Sequence, residues 1–400
     1  MSLGKGEDDD AVKILMLYKT LLGLLGLWPL EARSARSLIR WCLAVASECV
    51  TITVLSLEMY RQCRDSEDVF DALLVNVSST TSLCKLLLYR TSHRYKRELL
   101  ESMIEDWSSP RKDPRTREIA TSYAYTARTV SVTYLYLGFV SAIFIILKGL
   151  PLQALLTWPT ETTLNQTDAT TYAKFILQTY CVFDPSSRHL YVLIMAAQMI
   201  QLFVNCLSQC IHDGFFFAQT MHLCGQFKIL SVGFSDLGKN ERYRPCDLAK
   251  LISRHSRLLR LSVVLERAYC YTILAHLCLF GLLLSIEGLH LLLCLKANDV
   301  YGVGKHSVVV VTIFVSLLFY AVSGNFLKSH SEDVANAVYD SSWYDFDERE
   351  SKNLIFLILR ANVARKLTAG KLIDIDLQTF REIVKISASY MSVLRIMLDE

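Results

Sequence analysis

Runs of about twenty apolar residues, parted by polar stretches, recur six times along the chain: Leu38–Leu57, Val69–Tyr89, Val130–Leu147, Leu190–Cys210, Tyr269–Leu295 and Val308–Leu327. A helix rising about 1.5 Å per residue carries each run across the roughly 30 Å of a bilayer's hydrocarbon. A seventh run, Ile373–Leu398, holds Arg381, Glu382, Lys385 and Arg395. Charges facing lipid are costly, so this helix either stays outside the bilayer or turns those positions toward protein, water or headgroups. The pattern predicts an all-α membrane protein with six transmembrane helices, and seven transmembrane helices if the last run crosses.

Helical spacing continues where the bilayer stops. Phe216, Met221, Cys224 and Phe227 extend the fourth helix beyond its span, and after the polar break Gly238–Pro245 an amphipathic stretch from Leu248 to Arg267 feeds the fifth. Segment 331–372 behaves alike, with Trp343 and the apolar run Leu354–Leu359. Such faces must pack on each other or on another subunit. The expected organisation is therefore residues 1–330 as six transmembrane helices with their cytosolic loops, 331–372 as cytosolic anchor helices, and 373–400 as the last helix. Ala11–Leu27, which carries Lys13 and Lys19 and stops at Pro29, reads equally as an interfacial helix or a cytosolic packing helix.

Charge sets the orientation. Thirty lysines and arginines fall in segments 1–37, 90–129, 228–268 and 328–372, against seven in 58–68, 148–189 and 296–307. Basic loops stay in the cytosol, which places the N-terminus inside and, if the last segment crosses, the C-terminus outside. The first residues, Met1 to Asp10, lack the basic region and cleavage site of a signal peptide, in keeping with a cytosolic start. This orientation is the reverse of a G-protein-coupled receptor, and no Asp-Arg-Tyr or Asn-Pro-x-x-Tyr stretch is present.

Composition agrees: 52% hydrophobic, 20% charged, mean hydropathy +0.30. A net charge of +3 gives no field for nucleic acid. The twelve cysteines are too sparse for a disulfide scaffold and mostly lie in apolar runs, where they act as small hydrophobes. No cysteine–histidine spacing suits zinc, and no cofactor is expected. Asn165-Gln-Thr is a glycosylation sequon in the outer loop; Asn76-Val-Ser lies inside a span and reads as a chance match. Cys63 and Cys181, both on the outer side, stand either as a disulfide or as free thiols.

In the last helix Ile386, Tyr390, Val393 and Met397 fall on one stripe, either an ordinary packing stripe or a pore wall. Ser387, Ser389, Ser392 and Arg395 supply more polar surface than surrounding lipid satisfies, which favours contact with water or protein. A narrow ring of Val or Met side chains from several subunits would close a water-filled path by dewetting, and Asp399 and Glu400 would favour cations at its mouth.

The stretch Thr379-Phe-Arg-Glu-Ile-Val-Lys-Ile-Ser-Ala-Ser-Tyr-Met-Ser-Val-Leu394 resembles the C-terminal signature of insect odorant receptors, a Thr-Phe pair before a Ser-Tyr-Ser stretch. Leu354–Gly370, Gly324 through Ser331 to Trp343-Tyr344, and Phe227 to His255 are also similar to family stretches. Met391 stands where the family often has Ser. The Thr-Tyr…Gln-Phe ending of the related gustatory receptors is absent.

The resemblance implies an odorant-gated, non-selective cation channel in the plasma membrane of sensory dendrites. Its ligand-specific subunit assembles with the shared co-receptor (Orco) in a hetero-tetramer. The co-receptor's long cytosolic insertion after the fourth helix has no counterpart here, which favours the ligand-specific role. The family's gate matches Val393 and Met397, with Ile396 where the co-receptor carries Gln. Its odorant site lies in the outer half of the second, third, fourth and sixth spans. Here those halves hold Phe70, Leu73, Leu74 and Val77; Gly138, Phe139, Ser141, Ala142 and Ile145; Tyr191, Met195 and Met199; and Val310, Ile313 and Phe314. Apolar, aromatic and thioether groups with few hydroxyls suit a small volatile, and Tyr191 and Ser141 are the expected polar contacts.

Two other classes remain open. A membrane enzyme would need converging acids or histidines, for which His212-Asp213, Glu287 with His290, and Glu58 are candidates. His212-Asp213 is expected near the cytosolic edge as a helix-surface polar pair. A secondary transporter would show paired Gly/Pro-interrupted spans, and none recurs between the halves.

Overall fold

The structure, a computed structural model, describes residues 9–31, 34–61, 66–108, 113–149, 175–177, 179, 182, 188–239 and 245–399. Ten helices carry nearly all of the described chain: α1 (Asp9–Leu24), α2 (Ala35–Arg61), α3 (Ser66–Thr91), α4 (His93–Ser108), α5 (Pro114–Gly149), α6 (Arg188–Ser235), α7 (Pro245–Ala297), α8 (Val300–Tyr339), α9 (Glu348–Ala361) and α10 (Leu377–Asp399). A 3-10 turn at Trp343–Asp345 and a small hairpin of β1 (Thr368–Ala369) with β2 (Ile373–Asp374) complete it.

Among the described residues, six helices are long and apolar enough to cross a membrane, over Ala35–Arg61, Asp71–Thr91, Pro114–Leu147, His189–Ser235, Cys246–Ala297 and Val300–Tyr339. The 48 residues of α6 and 53 of α7 give rods of roughly 70 and 80 Å at the helical rise, over twice the bilayer core. Their surplus forms a helical body at the basic end, where α4, α6, α7, α8 and α9 share a core built on Leu99, Phe227, Leu261, Val334 and Leu354. The boundary expected at residue 330 falls inside α8, which runs unbroken to Tyr339.

The amphipathic N-terminal helix has a definite seat. Tyr18 of α1 is buried, donates its hydroxyl hydrogen to Gly214 O (2.7 Å) and lies 2.8 Å from Ser131 Oγ. With 16 residues α1 is too short to cross and packs on α5 and α6.

The segment expected as one helix from Ile373 divides. Ile373 and Asp374 pair with Ala369 and Thr368, through a turn in which Gly370 and Lys371 both take positive φ (59° and 63°). Asp376 then starts α10 by accepting the Thr379 N–H at 2.9 Å. That backbone bond holds the Asp376 carboxyl below its ordinary value. Periodicity alone sees neither the turn nor the cap. The hairpin is seated on the bundle: Gly370 N donates to Cys270 O at 2.8 Å, and a Cβ at Gly324 of α8 would lie 1.9 Å from Ile375 O, so only glycine fits there.

From this seat α10 lies along α7 and α8, with Ser387 donating to Gly281 O at 3.0 Å and Phe380 edge-on to Phe314 at 5.0 Å. Ser389 and Ser392 donate instead to Lys385 O and Ala388 O of their own helix. Ser387 thus finds its partner on α7, and Ser389 and Ser392 find theirs in the backbone of their own helix.

Candidate functional site

A cavity of about 100 Å³ lies within the outer half of the bundle, walled by α3, α5, α6, α7 and α8. Its wall is mainly apolar: Leu74 and Val75 from α3, Gly138, Ala142 and Ile145 from α5, Leu202 from α6, Phe280 and Leu283 from α7, Val309 and Ile313 from α8. Ser78, Tyr134, Ser141, Asn205, Gln209 and Thr312 add polar groups, and Cys206 and Cys210 add thiols. The α5 wall comes close because residue 138 is glycine; a Cβ there would stand 2.4 Å from Cys210 Sγ and 3.3 Å from Cys206 Sγ.

Of the residues expected to contact ligand, the cavity gathers Leu74, Gly138, Ser141, Ala142, Ile145 and Ile313. Val77 and Val310 pack behind them, against a cluster around Leu283 and Leu317. Phe139 stacks on Phe203 at 5.7 Å, and Leu73 is half-buried on α3. Tyr191 and Met195 belong to a separate outer cluster with Leu55 and Phe175, where the Tyr191 and Phe175 rings are 5.3 Å apart. Met199 and Phe314 are partly exposed on the bundle surface. The side chains of Phe70 and Met397 lie outside the described residues, as do Cys63, Asn165, Cys181 and Glu400. Asn76 donates to Ile52 O and Ser56 Oγ within the bundle.

The sequence reading passed over the contributions of α7 and the polar stripe of α6. Gln198, Gln201, Asn205 and Gln209 recur at helical spacing and are all buried. Gln198 clamps Leu177, accepting its N–H (3.1 Å) and donating to its carbonyl (2.9 Å). Gln201 donates to Glu48 Oε2 at 2.9 Å, and Ser82 to Glu48 Oε1 at 3.0 Å. Asn205 accepts the Ser78 hydroxyl at 2.9 Å. Four amides in one apolar span were a legible sign that this helix is enclosed by protein.

One turn beyond the cavity, Asp213 corrects the expectation of a helix-surface polar pair. It is wholly buried and accepts from Lys85 Nζ (2.7 Å), Tyr320 OH (2.5 Å), Ser316 Oγ (3.1 Å) and Tyr134 OH (3.2 Å). The reason is that α3, α5 and α8 enclose α6 at this level and leave it no free face. His276 Nε2 lies 2.8 Å from Ser316 Oγ, and His212 Nδ1 2.5 Å from Ser208 O. Tyr134 joins the two regions, with its ring at the cavity and its hydroxyl on Asp213.

The remaining acids are engaged separately. Glu287 pairs with His306 of α8 at 2.8 Å, and Glu58 accepts the Val182 N–H at 3.0 Å. Among the described residues no group of three His, Cys, Asp or Glu side chains could hold a metal ion. Ile386, Tyr390, Val393 and Ile396 of α10 are 54–61% exposed, so over half of each side chain is uncovered by its own chain.

The family model described as 7tm Odorant receptor matches residues 65–388. The chain belongs to the odorant receptor family. It is 24% identical to Odorant receptor 22c of Drosophila melanogaster, over 94% of each chain. Its similarity to the Odorant receptor coreceptor of Harpegnathos saltator, 24% identical, spans only 36% of this chain and 29% of that one. Among solved structures, the insect olfactory receptor OR5 from Machilis hrabei in complex with eugenol superposes with a TM-score of 0.79 at 14% identity, over 97% of this chain and all of that one. The odorant receptor's fold is thus the seven-span helical fold of that receptor.

Proposed function

We propose that this odorant receptor is the ligand-specific subunit of an odorant-gated, non-selective cation channel in sensory dendrites. It binds a small volatile in the cavity and opens a pore in a hetero-tetramer with the shared co-receptor. The observation that carries this reading is the mostly apolar, five-helix cavity, at the depth of the bundle expected for an odorant site. The uncovered Ile386–Tyr390–Val393 face of α10 supports the pore assignment, since one helix encloses no path and several copies can. Leu74, Gly138, Ser141, Ala142, Ile145 and Ile313 are the proposed ligand contacts, and Val393 with Met397 the gate. A ligand opens the pore only through tighter binding to the open arrangement, so changes in the wall shift both affinity and efficacy.

The gate is tested by Val393→Cys in cells that also express the co-receptor. Odorant-evoked current that a charged, membrane-impermeant thiol reagent blocks, faster with odorant present, is the expected result. Current unaltered by the reagent, with labelling of the cysteine verified, removes α10 from the pore.

A further inference from the structure

Polar groups in the cavity wall are almost all matched by the protein itself. Ser78 Oγ donates to Asn205 Oδ1 (2.9 Å), Thr312 Oγ1 to Val308 O (2.8 Å), and the Tyr134 hydroxyl to Asp213 (3.2 Å). Asn205 Nδ2 is used by Ser79 Oγ at 3.3 Å and Glu48 Oε2 at 3.4 Å. Among the buried polar atoms of the wall, Gln209 holds the exception. Its Nε2 donates to Ser78 O at 2.9 Å, while its Oε1 is buried without a hydrogen-bond partner. Because Ser78 O can only accept, the amide nitrogen is the atom facing it, and the free atom is the acceptor oxygen.

An unmatched buried acceptor is a standing cost, which a donor brought by ligand relieves. From this we infer that the odorant receptor's cavity selects small neutral volatiles with a hydroxyl group, an alcohol or a phenol, whose hydrogen is donated to Gln209 Oε1 while the carbon skeleton lies against Leu74, Phe280, Val309 and Ile313. The inference rests on the cavity being the odorant site. The ligand's class follows from what the wall lacks. An ether, ester or ketone brings only acceptors and leaves Gln209 unmatched. A carboxylate brings an anion that burial penalises, and an ammonium a cation subject to the same penalty. Sites built around a polar partner reject analogues that lack it more strongly than apolar walls reject a change of shape. Ser141, also on the wall, can accept as well as donate and so adds no demand of its own.

The test uses cells expressing the full chain with an insect co-receptor, and pairs of volatiles that share a skeleton, each alcohol or phenol against its methyl ether. The expected result is an EC50 about tenfold lower for the hydroxyl member, which corresponds to about 1.4 kcal/mol. In Gln209→Met that ratio falls toward one, because only the hydroxyl member loses a bond. A ratio near one in the unaltered chain, which needs no variant to fold, overturns the inference. So does a ratio that persists in Gln209→Met. Gly138→Val separates this from the cavity reading. If it abolishes responses while the hydroxyl preference is absent, the donor inference fails and the cavity stands. If responses survive Gly138→Val undiminished, the cavity reading fails, and this inference with it.

Discussion

Lys85 Nζ lies 2.7 Å from Asp213 Oδ1, with both side chains buried, and the pair ties α3 to α6 beneath the cavity. The ion pair survives burial because Asp213 also accepts three hydroxyl hydrogens from α5 and α8. Lys85→Met leaves that carboxylate without its counter-charge and is expected to cost about 3–5 kcal/mol. The double variant Lys85→Met, Asp213→Leu removes both charges and is expected to be more stable than the single one. Thermal unfolding in detergent, followed by size-exclusion fluorescence, checks this; equal losses in both variants would mean that the charge pairing is not what the site depends on.

The cavity wall at Gly138 has no room for a side chain. A methyl group there meets Cys210 Sγ at 2.4 Å, so Gly138→Ala must displace the thiol or narrow the cavity. Overpacking of this kind costs about 1–3 kcal/mol. For ligand binding that predicts an EC50 raised roughly tenfold, most for the bulkiest volatiles, and partly restored by Cys210→Ala. Dose–response curves on the single and double variants decide it.

Gly324 seats the hairpin that precedes α10. Gly324→Ala puts a methyl 1.9 Å from Ile375 O, so the start of α10 must move. Odorant responses are expected to fall or basal current to rise, while surface delivery persists because α8 itself favours alanine. Surface biotinylation beside current recording separates the two; normal responses would show that the seat is not coupled to opening.

Lys96 on α4 is fully buried. Its ammonium is 2.5 Å from Ser92 Oγ and 3.1 Å from Ala268 O, between the rings of Tyr89 (4.3 Å) and Tyr269 (4.6 Å). Burial pushes its pKa down from the ordinary 10.5 to about 7. Below about pH 7 the folded protein carries the buried charge and its full penalty. As pH rises from there toward 10.5, the folded form releases the proton before the unfolded form does, and stability grows. Melting temperature is therefore expected to climb between pH 7 and 9.5 more in the unaltered chain than in Lys96→Met. Parallel curves for the two would contradict the assignment.

How much of this was legible in the sequence depends on the range over which each feature is encoded. The six spans, the overlong fourth helix and the basic asymmetry are local patterns, and each can be read from consecutive residues. The Lys85–Asp213 pair joins positions 128 residues apart, and no periodicity announces such a pairing. The Gln198–Gln209 stripe was written in the sequence at helical spacing, but its meaning needed its neighbours in space: Leu177 for Gln198, Glu48 of α2 for Gln201, and Ser78 of α3 for Asn205 and the Gln209 nitrogen. Six of the fifteen expected ligand contacts line the cavity, since span and depth fix roughly where a residue lies but not which way it turns. Tyr191 shows the difference: it lies on an expected span, but its ring packs on Phe175, away from the cavity, whose α6 wall runs from Leu202 to Cys210.

The central claim is that a volatile held in the α3–α5–α6–α7–α8 cavity opens a channel formed with a second subunit. Two-electrode voltage clamp on cells expressing this chain with and without an insect co-receptor, across a panel of small volatiles, tests it most directly. The account predicts inward cation current only where both chains are present, abolished by Gly138→Val. Silence of both cell types to the whole panel, with surface expression verified, or current indifferent to the cavity variant, would contradict it.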